Sequence, residues 1–129
     1  MVSMPVELGL EGQSVTHETI DYTVSLNTDG GFEIRIETRF SLCTPEGNFD
    51  LSPESPGIQA DRLRALLHQT VTSSVAEESG ALSLGFTDGS RLRVEPHDSY
   101  EAWTVAGPGG MKMVSMPGGE LAEWSSDND

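Results

Sequence analysis

Residues 32–42 read Phe32-Glu33-Ile34-Arg35-Ile36-Glu37-Thr38-Arg39-Phe40-Ser41-Leu42. Phe32, Ile34, Ile36, Phe40 and Leu42 fall on every second place, Thr38 keeps the rhythm, and charged or polar residues fill the places between. A period of two is the spacing of a β-strand. One apolar and one wet face is the pattern of an antiparallel sheet. The stretch is expected to form one long strand, with Glu33, Arg35, Glu37 and Arg39 as its solvated face.

Working outward, Tyr22, Val24 and Leu26 alternate in the same way before it, and Val6, Leu8 and Leu10 before those. Asp29-Gly30-Gly31 and Asp88-Gly89 stand between such runs and supply the positive φ angles that tight hairpins need. Gly107-Pro108-Gly109-Gly110 and Pro117-Gly118-Gly119 mark further turns. One segment departs from this pattern. Ser55-Pro56 reads as an N-cap with proline at the first helical position, and Leu63, Leu66 and Leu67 recur at helical spacing. A helix is expected from about Gly57 to His68, reached through an irregular connection over Glu46–Gly57. The last five residues, 125–129, are expected to be a flexible acidic tail.

The halves resemble each other. Gln13-Ser14-Val15-Thr16 answers Gln69-Thr70-Val71-Thr72, Val24-Ser25-Leu26 answers Leu82-Ser83-Leu84, and Thr28-Asp29-Gly30 answers Thr87-Asp88-Gly89. Ile34-Arg35-Ile36-Glu37 answers Leu92-Arg93-Val94-Glu95, and Phe40-Ser41-Leu42-Cys43 answers Trp103-Thr104-Val105-Ala106. Continued further, Phe49–Ser52 answers Lys112–Ser115, and the helix around Leu63–Leu67 answers Glu120–Trp124. The matches are collinear, with Pro96–Tyr100 as the largest insertion. A repeated unit whose single apolar face cannot be buried alone must pack on its copy. The expected fold is therefore α+β and mainly antiparallel β. Two pseudo-repeated meanders, about 9–68 and 69–124, form one sandwich or curved barrel with one short helix, in a single domain over 1–124.

The chain has 129 residues and a formal charge of −14, from 21 Asp and Glu against 7 Lys and Arg. Residues 1–58 hold 10 acidic and 2 basic residues and the rest 11 and 5, so both halves are negative. Such a field repels nucleic acid and anionic membranes and speeds encounter with a basic partner. Solubility or an acidic proteome explains the same charge without a partner. The single cysteine, Cys43, excludes an internal disulfide and suits a reducing compartment. No apolar run approaches the ~20 residues of a membrane span, and the first residues lack a signal core. Cytoplasm is the expected location.

Pro96–Tyr100 and its neighbours, Glu95-Pro96-His97-Asp98-Ser99-Tyr100-Glu101-Ala102-Trp103, are the densest polar and aromatic group in the chain. Glu95, His97, Asp98 and Glu101 match no metal-ligand spacing, so a polar loop is expected and no metal or cofactor. Trp103 takes the place of Phe40 and is expected in the core, whereas Trp124 is either a cap on the core or an interface anchor. Cys43, answering Ala106, is expected to be small and buried, without a neighbour to activate it. No triad, phosphate loop, zinc helix or dinucleotide fingerprint is present, which assigns no catalytic residues and lowers the odds of an enzyme.

The C-terminal stretch Tyr100-Glu101-Ala102-Trp103-Thr104-Val105 through Pro117-Gly118-Gly119-Glu120-Leu121-Ala122-Glu123-Trp124 resembles the ending of a family of small bacterial proteins of unknown function. The Leu82–Glu95 hairpin is similar too, so the resemblance covers roughly the last half. It implies a small β-rich domain and brings no activity. In build rather than motif, the chain also resembles immunity proteins of bacterial toxin systems. The favoured expectation is an acidic protein-binding module masking a basic toxin or nuclease, with His97, Asp98, Tyr100, Glu101 and Trp124 as contacts. The alternatives are a small-ligand binder or minor enzyme with a pocket between the repeats, and a homodimer formed through an exposed strand edge.

Overall fold

The computed structural model describes residues 5–53 and 60–124. Its elements in chain order are β1 (Val6–Glu7), β2 (Val15–Asp21), β3 (Thr23–Thr28), β4 (Glu33–Ile36), β5 (Phe40–Thr44), β6 (Gly47–Leu51), α1 (Ala60–Arg64), β7 (Val71–Ala76), β8 (Leu82–Phe86), β9 (Arg91–Val94), β10 (Trp103–Ala106), β11 (Lys112–Ser115) and β12 (Leu121–Trp124). They form two six-stranded sheets, β1-β7-β8-β9-β5-β6 and β12-β11-β10-β4-β3-β2, with antiparallel neighbours throughout. The architecture is a sandwich, not a closed barrel, because each sheet keeps two edges.

The run Phe32–Leu42 is therefore two strands in different sheets. At roughly 3.3 Å per residue an eleven-residue strand would reach ~36 Å, far beyond its neighbours of four to seven residues. The chain instead leaves one sheet after Ile36, crosses through Glu37-Thr38-Arg39, and enters the other at Phe40. Period two survives the crossing because Thr38 stands on the apolar beat. A second crossover, Glu95–Ala102, runs the opposite way, from Val94 to Trp103. Ile36 lies opposite Trp103 and Phe40 opposite Val94, so both crossovers sit side by side at one end of the sandwich.

Between the sheets, Val24, Leu26, Ile34, Ile36, Trp103 and Val105 meet Phe40, Leu42, Leu82, Leu84, Leu92 and Val94 in one buried cluster. Trp103 is fully buried, as expected, and its Nε1–H donates to the Gly80 carbonyl at 2.9 Å. Ser115 Oγ donates to the same oxygen, also at 2.9 Å. Gly80 has φ +97°, and a Cβ there would lie 2.3 Å from the Gly119 carbonyl. Only glycine permits that approach.

Helix α1 closes the flank between the edge strands β2 and β6. Leu63 and Leu66 are buried, and Arg62 lies over the Phe49 ring at 4.3 Å while pairing with Glu46. The helix ends earlier than its apolar spacing predicts. Ala65 still bonds Asp61, but Leu66 and Leu67 bond three residues back, to Leu63 and Arg64, and the tightened chain turns at His68 (φ +73°). The expected cap at Ser55-Pro56 and the expected tail at 125–129 lie outside the described residues.

Pairing registers agree in one hairpin of each half and differ in the next. Val24 faces Ile36 as Leu82 faces Val94, but Ser41 faces Asp50 while Thr104 faces Val114, one place past the Met113 that answers Asp50. Register shifts interrupt β2 between Val15 and His17 and β7 between Val71 and Ser73. Thr28 Oγ1 donates to Gln13 Oε1 (2.6 Å) as Thr87 Oγ1 donates to Gln69 Oε1 (2.8 Å). Ser14 and Thr70 bridge each other, flanked by Val15 N–H to Gln69 O and Val71 N–H to Gln13 O.

Four further expectations fail. Gly47–Leu51 is strand β6, because its residues complete a two-residue hairpin with β5. Leu121–Trp124 is strand β12 on the edge beside β11, not a helical turn. Tyr22 is 77% exposed at φ +59° between β2 and β3, outside the core. Cys43 is exposed, since the alternation that buries Phe40 and Leu42 turns it outward.

Candidate functional site

The crossovers gather the polar residues that the fold does not absorb. Thr38 and Arg39 of the short one and Glu95 and Pro96 of the long one line a cleft of about 480 Å³, completed by Phe40, Ser41, Asp50 and Arg93. A second hollow, of about 270 Å³, is lined by Glu37, Thr38, Arg39, Ser52, Pro53 and Tyr100. Thr38 and Arg39 belong to both, so one surface runs across the pair of crossovers.

Arg93 is fixed rather than available. Its Nη1 donates to Glu77 at 2.5 Å and its Nε to Glu95 at 2.6 Å, which raises the guanidinium pKa further. Period two on β9 and β4 turned Arg93 and Arg35 outward, but spacing gave no signal of Glu77, which arrives from the β7–β8 connection. Arg39 forms no ion pair with any described residue.

Of the five residues expected to contact a partner, His97, Asp98, Tyr100 and Glu101 all lie in the long crossover. The His97 and Tyr100 rings stack at 3.8 Å between centroids and 14° between planes. His97 Nδ1 accepts the Ser99 N–H at 3.0 Å, and its carbonyl accepts Gly118 N–H at 2.9 Å, so the insertion is tied down at both levels. Tyr100 remains 51% exposed. Trp124 is also 51% exposed but lies elsewhere. On β12 it faces Lys112, at the Ala106 end of its sheet, away from the crossovers, with Lys112 Nζ 5.5 Å from its ring.

The described connections at the crossover end carry Glu37, Glu77, Glu78, Glu95, Asp98, Glu101 and Glu120 and a single Lys or Arg, Arg39. The hairpin connections at the other end, 29–32, 45–46, 87–90 and 107–111, carry Asp29, Glu46 and Asp88 and no Lys or Arg, with Arg91 and Lys112 beside them at the starts of β9 and β11. Among the described residues no three His, Cys, Asp or Glu side chains group as metal ligands. No helix there is long and apolar enough to cross a membrane.

A half-buried carboxyl that belongs to no motif lies on the α1 flank. Glu18 shares the inner side of β2 with Ile20, and its Oε2 is buried with no hydrogen-bond partner among the described residues. Desolvation pushes its pKa up to about 7, against a smaller opposing pull from Arg64. A hollow of about 330 Å³ beside it is lined by Thr16, His17, Glu18, Ile20, Arg64 and Leu67. Period two placed Glu18 and Ile20 on one side, so the signal was present.

Fold and surface together define a two-sheet β-sandwich with an acid-rimmed end built by twin crossovers. The chain belongs to a family of unknown function, DUF6188, whose family model matches residues 6–125. No curated protein and no solved structure matches the chain.

Proposed function

We propose that the protein is an acidic protein-binding module that masks a cationic partner, with an immunity-type inhibitor of a basic toxin or nuclease as its specific form. The observation that carries this reading is the stacked, half-exposed His97–Tyr100 pair inside a rim of carboxylates where, among the described residues, Arg39 is the one cation in the connections and the neighbouring Arg93 is paired with Glu77 and Glu95. Acidic side chains steer a basic partner and raise its association rate 10- to 10³-fold. A rigid aromatic pair then offers the desolvated contact that sets dissociation. Trp124, on a different part of the surface, is not needed for this docking.

The matching Val24–Ile36 and Leu82–Val94 registers and the Gln13–Thr28 and Gln69–Thr87 bonds support a further reading, that the halves are copies of one unit. Residues common to both copies then serve the fold, and Pro96–Tyr100 stands out as what one copy adds. A small-ligand or minor enzymatic role draws on the cleft at Arg39, Ser41 and Asp50. Apolar side chains occupy the space between the sheets, which favours a ligand on this outer face over one between the halves.

The test is affinity capture from the source cells, followed by binding kinetics with the recovered partner. A cationic protein bound one to one, with Kd raised about 30-fold by Tyr100→Ala and unchanged by Trp124→Ala, fits the proposal. Asp98→Asn with Glu101→Gln should lower the association rate and its salt dependence. Capture of no cationic protein, or binding indifferent to the changes at Tyr100, Asp98 and Glu101, would sink it.

A further inference from the structure

We propose that Glu18 and α1 form a proton-controlled latch: with Glu18 neutral, the helix stays seated on the flank between β2 and β6, and ionisation of Glu18 loosens it. Glu18 shares a hollow with Arg64 of α1 and with Leu67, and its Oε2 is buried with no hydrogen-bond partner among the described residues. That is tolerable for a neutral acid and costly for an anion. The groups around it offer little compensation. From β3 the facing residue is Leu26, which is apolar. On β2, His17 is exposed and sets its Nδ1 3.0 Å from Thr16 Oγ1. From α1 the nearby charge is Arg64, which is turned toward solvent, with Nη1 3.6 Å from Asp61 and its side chain 63% exposed. Arg62, on the same helix, is committed to Glu46.

The comparable place on the other flank is built differently. Ser74 of β7 is fully buried there, and its N–H and Oγ both donate to Glu11 Oε2, at 3.0 and 3.1 Å. Its Oγ also accepts the Leu10 N–H at 3.0 Å. That flank's buried hydroxyl has its partners, whereas the buried Glu18 oxygen has none among the described residues and is less costly there as part of a neutral acid than of an anion.

The sign follows from linkage. With the helix closed the carboxyl holds its proton up to about pH 7, whereas in the open state it titrates at the ordinary value of 4.5. Opening therefore becomes easier as pH rises from about 4.5, and the effect levels off near 7. An open flank uncovers Leu63, Leu66 and Ile20 beside two strand edges.

Amide hydrogen exchange on the full chain, corrected for intrinsic rates, tests this between pH 5 and 8. Protection of residues 62–67 should fall by up to about tenfold per pH unit between 5 and 7, the ceiling one proton sets, and then flatten. Protection of β9 should not follow it. Glu18→Gln should remove the pH dependence. A direct readout in the unaltered protein is the carboxyl carbon shift of Glu18, which should titrate near 7. A Glu18 midpoint near 4.5, or the same pH dependence in Glu18→Gln, overturns the latch.

Discussion

The two crossovers join strand ends that occupy matching places in the two sheets, yet Glu37–Arg39 takes three residues and Glu95–Ala102 takes eight. The hairpin joins at the other end, Asp29–Phe32 and Thr87–Ser90, are equal in length. A similar inequality recurs between the strands that precede them: Tyr22 alone joins β2 to β3, while Glu77–Ala81 joins β7 to β8. Three residues suffice to pass between the sheets, so the extra length in the second half is not demanded by the sandwich. It carries the stacked rings, most of the acidic rim and the Gly80 carbonyl that anchors Trp103.

The sharpest way to break this division is at Trp103, where extra length and core meet. Trp103→Ala should cost about 3–5 kcal/mol of unfolding free energy, measured by denaturant titration, through lost packing and cavity formation. Phe40, its counterpart after the short crossover, also fills the core but anchors no carbonyl. Phe40→Ala should fall at the lower end of the same range. An equal or larger loss at Phe40 would mean that the Gly80 contact contributes nothing beyond volume.

Much of the sandwich was legible in the sequence, because alternation at Ile34–Ile36 and Leu92–Val94 reports burial residue by residue, although at Val24–Leu26 the intervening Ser25 is buried as well. What alternation cannot report is which sheet a strand joins. Thr38 continues the beat through the crossover, and only the length limit of the neighbouring strands shows that the chain must leave. The short helix was visible at Leu63, Leu66 and Leu67, but not its early end, which depends on long-range bonds such as His68 N–H to Val15 O at 2.8 Å. The candidate surface was legible as composition at Glu95–Glu101. Its joining with Thr38 and Arg39, and its separation from Trp124, depend on strand order, which no local spacing encodes.

Removing Pro96–Tyr100 tests whether the insertion is dispensable. The shortened link, Glu95-Glu101-Ala102, has the same three residues as Glu37-Thr38-Arg39. The losses are the Gly118–His97 backbone bond and the Pro96 contact over Gly119. One hydrogen bond is worth about 0.5–1.5 kcal/mol net, and shortening the link changes loop entropy by a few tenths. A folded variant weaker by about 1–2 kcal/mol, with partner capture abolished, is expected from chemical denaturation and binding. A variant that does not fold would show that the eight-residue link is structural and that the functional reading has been placed on the wrong residues.

The smallest effect is expected at Tyr22, where the first half makes its join as short as it can be. One residue turns the chain there, at φ +59°, and its side chain is 77% exposed. A side chain in the left-handed region costs about 1–2 kcal/mol. Glycine removes that cost but adds unfolded-state freedom worth about 0.4–1 kcal/mol. Tyr22→Gly should therefore be neutral to stabilising, by up to about 1.5 kcal/mol in thermal or chemical unfolding. The longer Glu77–Ala81 join meets the same steric demand with Gly80 at φ +97° and retains length to place a carbonyl over Trp103. A clear loss of stability in Tyr22→Gly would mean that the exposed ring has a packing role, and the short joins of the first half would then no longer be the bare minimum against which the second half is measured.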